Sequence, residues 1–156
     1  MRCTGMTGAS LLLIAASLWT AAIVSAESPR QVPPPKFKSL QLTKTGGFAG
    51  VHDVTTLDGQ GGWQFSSRAR TDPTKGKLSA AQLETLNAAV AAVDWSKLKA
   101  RYDSSGRGAD MFNYEIILTD AEGKTFRSSI RDFETNSLAP KELRALISLI
   151  ESMVKK

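Results

Sequence analysis

Apolar and polar positions alternate along this chain at two distinct periods. From Phe37 to Thr45, Leu40 and Leu42 alternate with Ser39, Gln41 and Thr43, the period of two that a half-buried strand requires. Val51 to Leu57 predicts a second strand, and Trp63 to Arg70 a third with Trp63 and Phe65 on one face. Asp58-Gly59-Gln60-Gly61-Gly62 between them is a hairpin or loop signal, and Thr71 to Lys77 reads as a loop. The period then changes. Leu83, Leu86, Val90 and Val93 recur at helical spacing, and Ser79 with Gln82 forms a capping box ahead of them. Leu78 and Leu83 are placed for a hydrophobic staple, and the intervening alanines keep helix propensity high. The helix should end near Asp94, with Trp95 and Leu98 continuing its apolar face into a short extra turn.

Tyr102 to Asp110 is polar and predicts a loop. Met111 to Thr119 is the clearest strand: Phe112, Tyr114, Ile116 and Leu118 share one face, and Met111, Asn113, Glu115 and Ile117 the other. Phe112 and Tyr114 read as core, whereas Asp110 caps the loop or touches a partner. Asp120-Ala121-Glu122-Gly123 is a tight turn, and Lys124 to Arg131 returns with Phe126 and Ile130 facing in. Pro140 opens a last helix whose buried stripe is Leu143, Leu146, Ile147, Ile150, Met153 and Val154. Lys155 and Lys156 suit its C-terminal dipole. The order β-β-β-α-β-β-α, with short connections between strands, predicts an α+β fold. Its expected form is an antiparallel sheet of four to five strands with two helices packed on one face.

The first 26 residues follow a different logic. Arg2 precedes an uncharged apolar run from Ala9 to Val24, and Val24-Ser25-Ala26 ends in a small-x-small pattern suited to signal peptidase. That run is shorter than the roughly 20 residues that span a bilayer, so residues 1–26 read as a signal peptide rather than an anchor. Residues 27–36, with Pro33-Pro34-Pro35, read as an extended Pro-rich linker, and residues 37–156 as a single domain. The chain is therefore expected to be exported, to the periplasm or beyond, with no stable membrane anchor after cleavage.

Removing Arg2 changes the 20 Lys and Arg against 15 Asp and Glu to a net charge of +4. These charges are mixed along the chain, a solubilising surface rather than a nucleic-acid stripe, and no nucleic-acid partner is expected. Cys3 is the only cysteine and lies in the leader, so no disulfide staples the domain. His52 is the only histidine, which removes the usual zinc centres and leaves no basis for a cofactor or metal site. No nucleophile elbow, phosphate loop or dinucleotide fingerprint occurs. The chain is not expected to be an enzyme, and it is expected to be a monomer.

One stretch stands apart. Gly46-Gly47-Phe48-Ala49-Gly50 places a single large apolar side chain among small residues, between two predicted strands. Glycine permits backbone angles other residues avoid and lets another surface approach closely. Two uses fit Phe48: it tucks back into the core, or it is offered to a partner.

The segment Thr45-Gly46-Gly47-Phe48-Ala49-Gly50-Val51 resembles the glycine-rich N-terminal signature of the emfourin family. Asp110-Met111-Phe112-Asn113-Tyr114-Glu115-Ile116 is similar to its D-x-F-x-Y-x-I strand, and the resemblance runs from about Leu40 to Met153. The leader and the proline linker depart from the family's compact pattern. Emfourins are small bacterial protein inhibitors of thermolysin-like zinc metalloproteases. The resemblance implies that this chain inhibits such an enzyme by blocking its active-site cleft with the glycine-rich loop. The protease contacts it implies are Gly46, Gly47, Phe48, Ala49 and Gly50, with His52 or Asp53 reaching the zinc or its neighbours. The alternative is a non-inhibitory protein-binding module of the bacterial envelope.

Overall fold

The computed structural model describes residues 37–103, 111–131 and 138–154. The predicted leader and linker, Asp110 and the two final lysines lie outside the described residues. Seven strands and two helices follow in the order β1 (Phe37–Gly46), β2 (Val51–Asp58), β3 (Gly62–Ser67), β4 (Thr74–Lys77), α1 (Ala80–Ala92), β5 (Arg101–Tyr102), β6 (Phe112–Asp120), β7 (Thr125–Arg131) and α2 (Lys141–Val154). The strands form one sheet, ordered β4-β3-β2-β1-β6-β7-β5.

The α+β class follows from the alternation. In register across β2, β1 and β6, Leu57, Leu40 and Leu118 form one row, and Thr55, Leu42 and Ile116 the next. These residues are all buried, in one core with Leu83, Leu86 and Val90 of α1 and the six predicted stripe residues of α2. Both helices therefore cover the same face of the sheet. A register shift between Phe37 and Ser39 lets Phe37, three positions before Leu40, reach that same core.

The capping box forms as the sequence predicts: Gln82 N donates to Ser79 Oγ (3.2 Å), and Ser79 N donates to Gln82 Oε1 (2.9 Å). At the other end of α1, Trp95 Nε1 donates to Val90 O (2.9 Å) and leads a short 3-10 turn over Trp95–Lys97. Pro140 stands just before α2, and its carbonyl accepts from Arg144 N (3.1 Å).

Three expectations are corrected. The sheet has seven strands, not four to five, and it is mixed rather than antiparallel, because β5 runs parallel to β7. The third strand ends at Ser67, short of the predicted Arg70, where Arg70 N bonds back to Ser67 O (3.0 Å).

The two extra strands carry no readable period. In β4, Thr74-Lys75-Gly76-Lys77 has no apolar residue. Trp63, opposite Gly76, lies so close over that glycine that a Cβ there would sit 2.6 Å from indole Cε2. The tertiary contact makes this strand, and its lysines keep the sheet edge charged. In β5 two residues suffice, because the neighbouring Lys99 and Ala100 carbonyls accept from Ser128 Oγ (2.8 Å) and Ser129 N (3.0 Å) of β7. Among the described residues, no helix is long and apolar enough to cross a membrane.

Candidate functional site

β1 and β2 meet in a four-residue connection. Gly46 pairs with Val51, and Gly47 to Gly50 form a β-turn closed by Gly50 N donating to Gly47 O (3.1 Å). Phe48 is the first central residue of that turn and is 93% exposed, which places it outside the core. Leaving such a ring in water forgoes about 1.5–3 kcal/mol that burial would contribute.

The base of the turn requires glycine for two reasons at once. Gly46 has φ +108°, and a Cβ there would run into the Met111 carbonyl oxygen. Gly47 has φ +69°, and a Cβ there would lie 2.6 Å from Phe112 Cε1. Gly47 N also donates to Met111 O (3.1 Å), so the turn is seated on the start of β6.

Phe112 is itself held from behind. Lys44 Nζ lies 4.4 Å from the centre of the Phe112 ring and 4.9 Å from that of Tyr114. It also pairs with Glu151 of α2 (3.4 Å), which accepts from the Tyr114 hydroxyl (3.2 Å). A line of contact thus runs from α2 through Glu151, Lys44 and Phe112 to the turn. Beside it, Leu42, Lys44, Asp53, Thr55, Phe65, Glu151 and Val154 enclose a cavity of about 20 Å³.

The sequence reading missed Lys44 and Glu151. The signal for Lys44 was present: it continues the inward alternation of Leu40 and Leu42, which puts an ammonium group on the buried side. Glu151, next to the buried Ile150 in α2, had no counterpart in the pattern that would pair it with Lys44.

The structure separates His52 from Asp53. Asp53 pairs with Lys44 and Ser67 and faces the helices, whereas His52 is exposed on the other face of the sheet, opposite Thr45. The two side chains therefore do not act as a pair. Among the described residues, no group of three or more His, Cys, Asp or Glu is arranged to hold a metal ion.

The face bearing His52 carries no helix among the described residues. Its row nearest the turn runs Arg131, Asn113, Thr45 and His52 across β7, β6, β1 and β2, by direct pairing. Arg68 follows β3 and extends the row, its backbone N donating to His52 O (3.0 Å). A shallow depression of about 380 Å³ lies at the Arg131, Asn113 and Thr45 end of this row, bordered also by Glu115 and Ser129.

Compared with known proteins, the chain matches no family model and no curated protein.

Proposed function

We propose that this chain is an exported inhibitor of thermolysin-like zinc metalloproteases, and that the Gly46–Gly50 turn enters the active-site cleft with Phe48 leading. The observation that carries the reading is the 93% exposure of Phe48 at the tip of a turn braced from below. The resemblance of Thr45–Val51 to the emfourin signature supports it. A large apolar side chain on a small-residue turn fits an enzyme that cuts before such residues. Because Phe112 and the Met111 carbonyl seat the turn, little conformational freedom is lost on binding.

The same geometry accounts for resistance to turnover. Thermolysin-like cleavage before Phe48 would need the Gly47 carbonyl presented to the zinc on an extended chain. Here that carbonyl accepts the turn's own hydrogen bond from Gly50 N, at 3.1 Å. Opening the turn means giving up that bond and the contact of Gly47 with Phe112. The inhibitor therefore needs no catalytic group, metal or cofactor of its own, and it acts as a monomer on one enzyme molecule.

The test is a titration of the purified chain from Glu27 into a thermolysin-like protease, following peptide cleavage, with a serine protease beside it. Stoichiometric loss of only the metalloprotease activity, reduced at least tenfold in potency by Phe48→Ala, is the expected result. A folded Phe48→Ala chain that inhibits as well as the parent removes Phe48 as the anchor. No inhibition by the parent favours the second reading, a non-inhibitory binding module of the bacterial envelope. The broad polar sheet face around His52 gives that reading its surface.

A further inference from the structure

Each arginine among the described residues except one has an interaction partner. Arg101 pairs with Asp103, Arg127 with Glu115, and Arg70 donates to Thr74 Oγ1 (3.2 Å). Arg131 and Arg144 also have partners. Arg68 has none, and it is exposed. It is also the arginine closest to the proposed contact turn: Arg68 Nη1 lies 3.8 Å from where a Cβ on Gly50 would be.

Arg68 is moreover placed rather than loose at its root. Its backbone N bonds to His52 O (3.0 Å), which continues the β2–β3 ladder one residue beyond the strand. That fixes the side chain on the face of His52, at the end of the row Arg131, Asn113, Thr45, His52, Arg68. Every side chain in this row offers a hydrogen-bond donor. A carboxylate can accept from such a row at several points.

We infer that Arg68 is the second point of recognition beside Phe48, and that it takes a carboxylate on the rim of the partner's cleft while Phe48 fills the apolar pocket. The partner is a protein whose apolar pocket is flanked by an acidic rim. This inference rests on the inhibitor reading above and names the chemistry of the surface that reading requires. A guanidinium beside the knob fixes the angle of approach and steers encounter through charge, so the association should be salt-dependent. Phe48 alone would give neither property.

The experiment measures inhibition of a thermolysin-like protease by the parent chain, Arg68→Glu, Arg68→Lys and Phe48→Ala, each at low and at near-physiological ionic strength. Melting curves verify that each variant folds. The expected result is that Arg68→Glu weakens inhibition about tenfold or more at low salt and flattens its salt dependence. Arg68→Lys should retain that dependence. Phe48→Ala should weaken inhibition while leaving the salt dependence in place. Arg68→Glu inhibiting like the parent with an unchanged salt dependence overturns the inference and leaves the inhibitor reading standing. A parent chain that leaves the enzyme fully active at both ionic strengths overturns both.

Discussion

The β1–β2 turn and two other tight hairpin turns of the sheet, β2–β3 and β6–β7, solve one closure problem in opposite ways. In the β2–β3 turn, Asp58 Oδ1 accepts from Gln60 N (2.8 Å) and Gly62 N (2.9 Å). In the β6–β7 turn, Asp120 Oδ1 accepts from Glu122 N (3.0 Å) and Lys124 N (2.8 Å). Each of these turns is stabilised by its own aspartate, a local device that any hairpin can use. The Gly46–Gly50 turn contains no polar side chain. It is held from outside, by the Met111 carbonyl and the Phe112 ring, and its one large side chain is left in water. Closing a hairpin does not call for that composition. The contrast points to a demand on the turn from beyond the fold, an unobstructed apolar tip on a rigid base.

The largest effect expected from this comparison is at Gly46. Gly46→Val puts a branched side chain at φ +108° and against the Met111 carbonyl, and should destabilise the protein by about 3 kcal/mol. Gly50→Ala is the control. Its φ of +61° is also unusual, but its nearest neighbour is Arg68 Nη1 at 3.8 Å, so only the backbone cost of about 1 kcal/mol applies. Urea unfolding of the two variants measures the difference. Equal losses would mean that β6 does not hold the turn.

Phe112→Ala comes next. It removes the ring that seats Gly47 and half of the aromatic surroundings of Lys44. Phe112 is only half-buried, so the loss should be about 2 kcal/mol, below that of a fully buried phenylalanine. The informative readout is hydrogen exchange at Gly47 and Gly50, which should quicken more than exchange at Gln60 and Gly62. Uniform quickening would make Phe112 an ordinary core residue with no special tie to the turn. Asp58→Ala tests the other side of the comparison. It strips the β2–β3 turn of both side-chain hydrogen bonds, and the freed N–H groups turn to water. A loss of about 1 kcal/mol is expected, with inhibition by the Phe48 turn unchanged.

How far this contrast was legible in the sequence depends on where each turn takes its support. Asp58 and Asp120 announce their turns because the stabilising group lies within the turn itself. The glycines at Gly46 and Gly47 marked an unusual backbone, but they could not say whether Phe48 folds inward. That was decided by Phe112, distant in sequence and already occupying the space above Gly47. The same limit applies to the strands. The alternation of Leu40 and Leu42, and of Tyr114, Ile116 and Leu118, was readable because burial imposes a period. β4 exists through one tryptophan over one glycine, and β5 through two carbonyls near Tyr102, and neither leaves a pattern. His52 and Asp53 show the same alternation at the candidate site, since adjacent strand residues face opposite ways.

The smallest effect on stability belongs to the residue that matters most to the proposed function. Phe48 is 93% exposed, and the bonds that close the turn and seat it on β6 run between backbone atoms of Gly47, Gly50 and Met111. Phe48→Ala therefore removes little from the folded state, and unfolding free energy should stay within about 0.5 kcal/mol of the parent. A loss of 2 kcal/mol or more, on the scale of a buried aromatic, would show that the ring packs against the protein in solution and would dissolve the contrast between the turns. Unchanged stability together with lost inhibition is the decisive combination. It would mean that the protein carries an aromatic side chain at no benefit to its own fold, on a turn its neighbours hold still, where a partner can reach it.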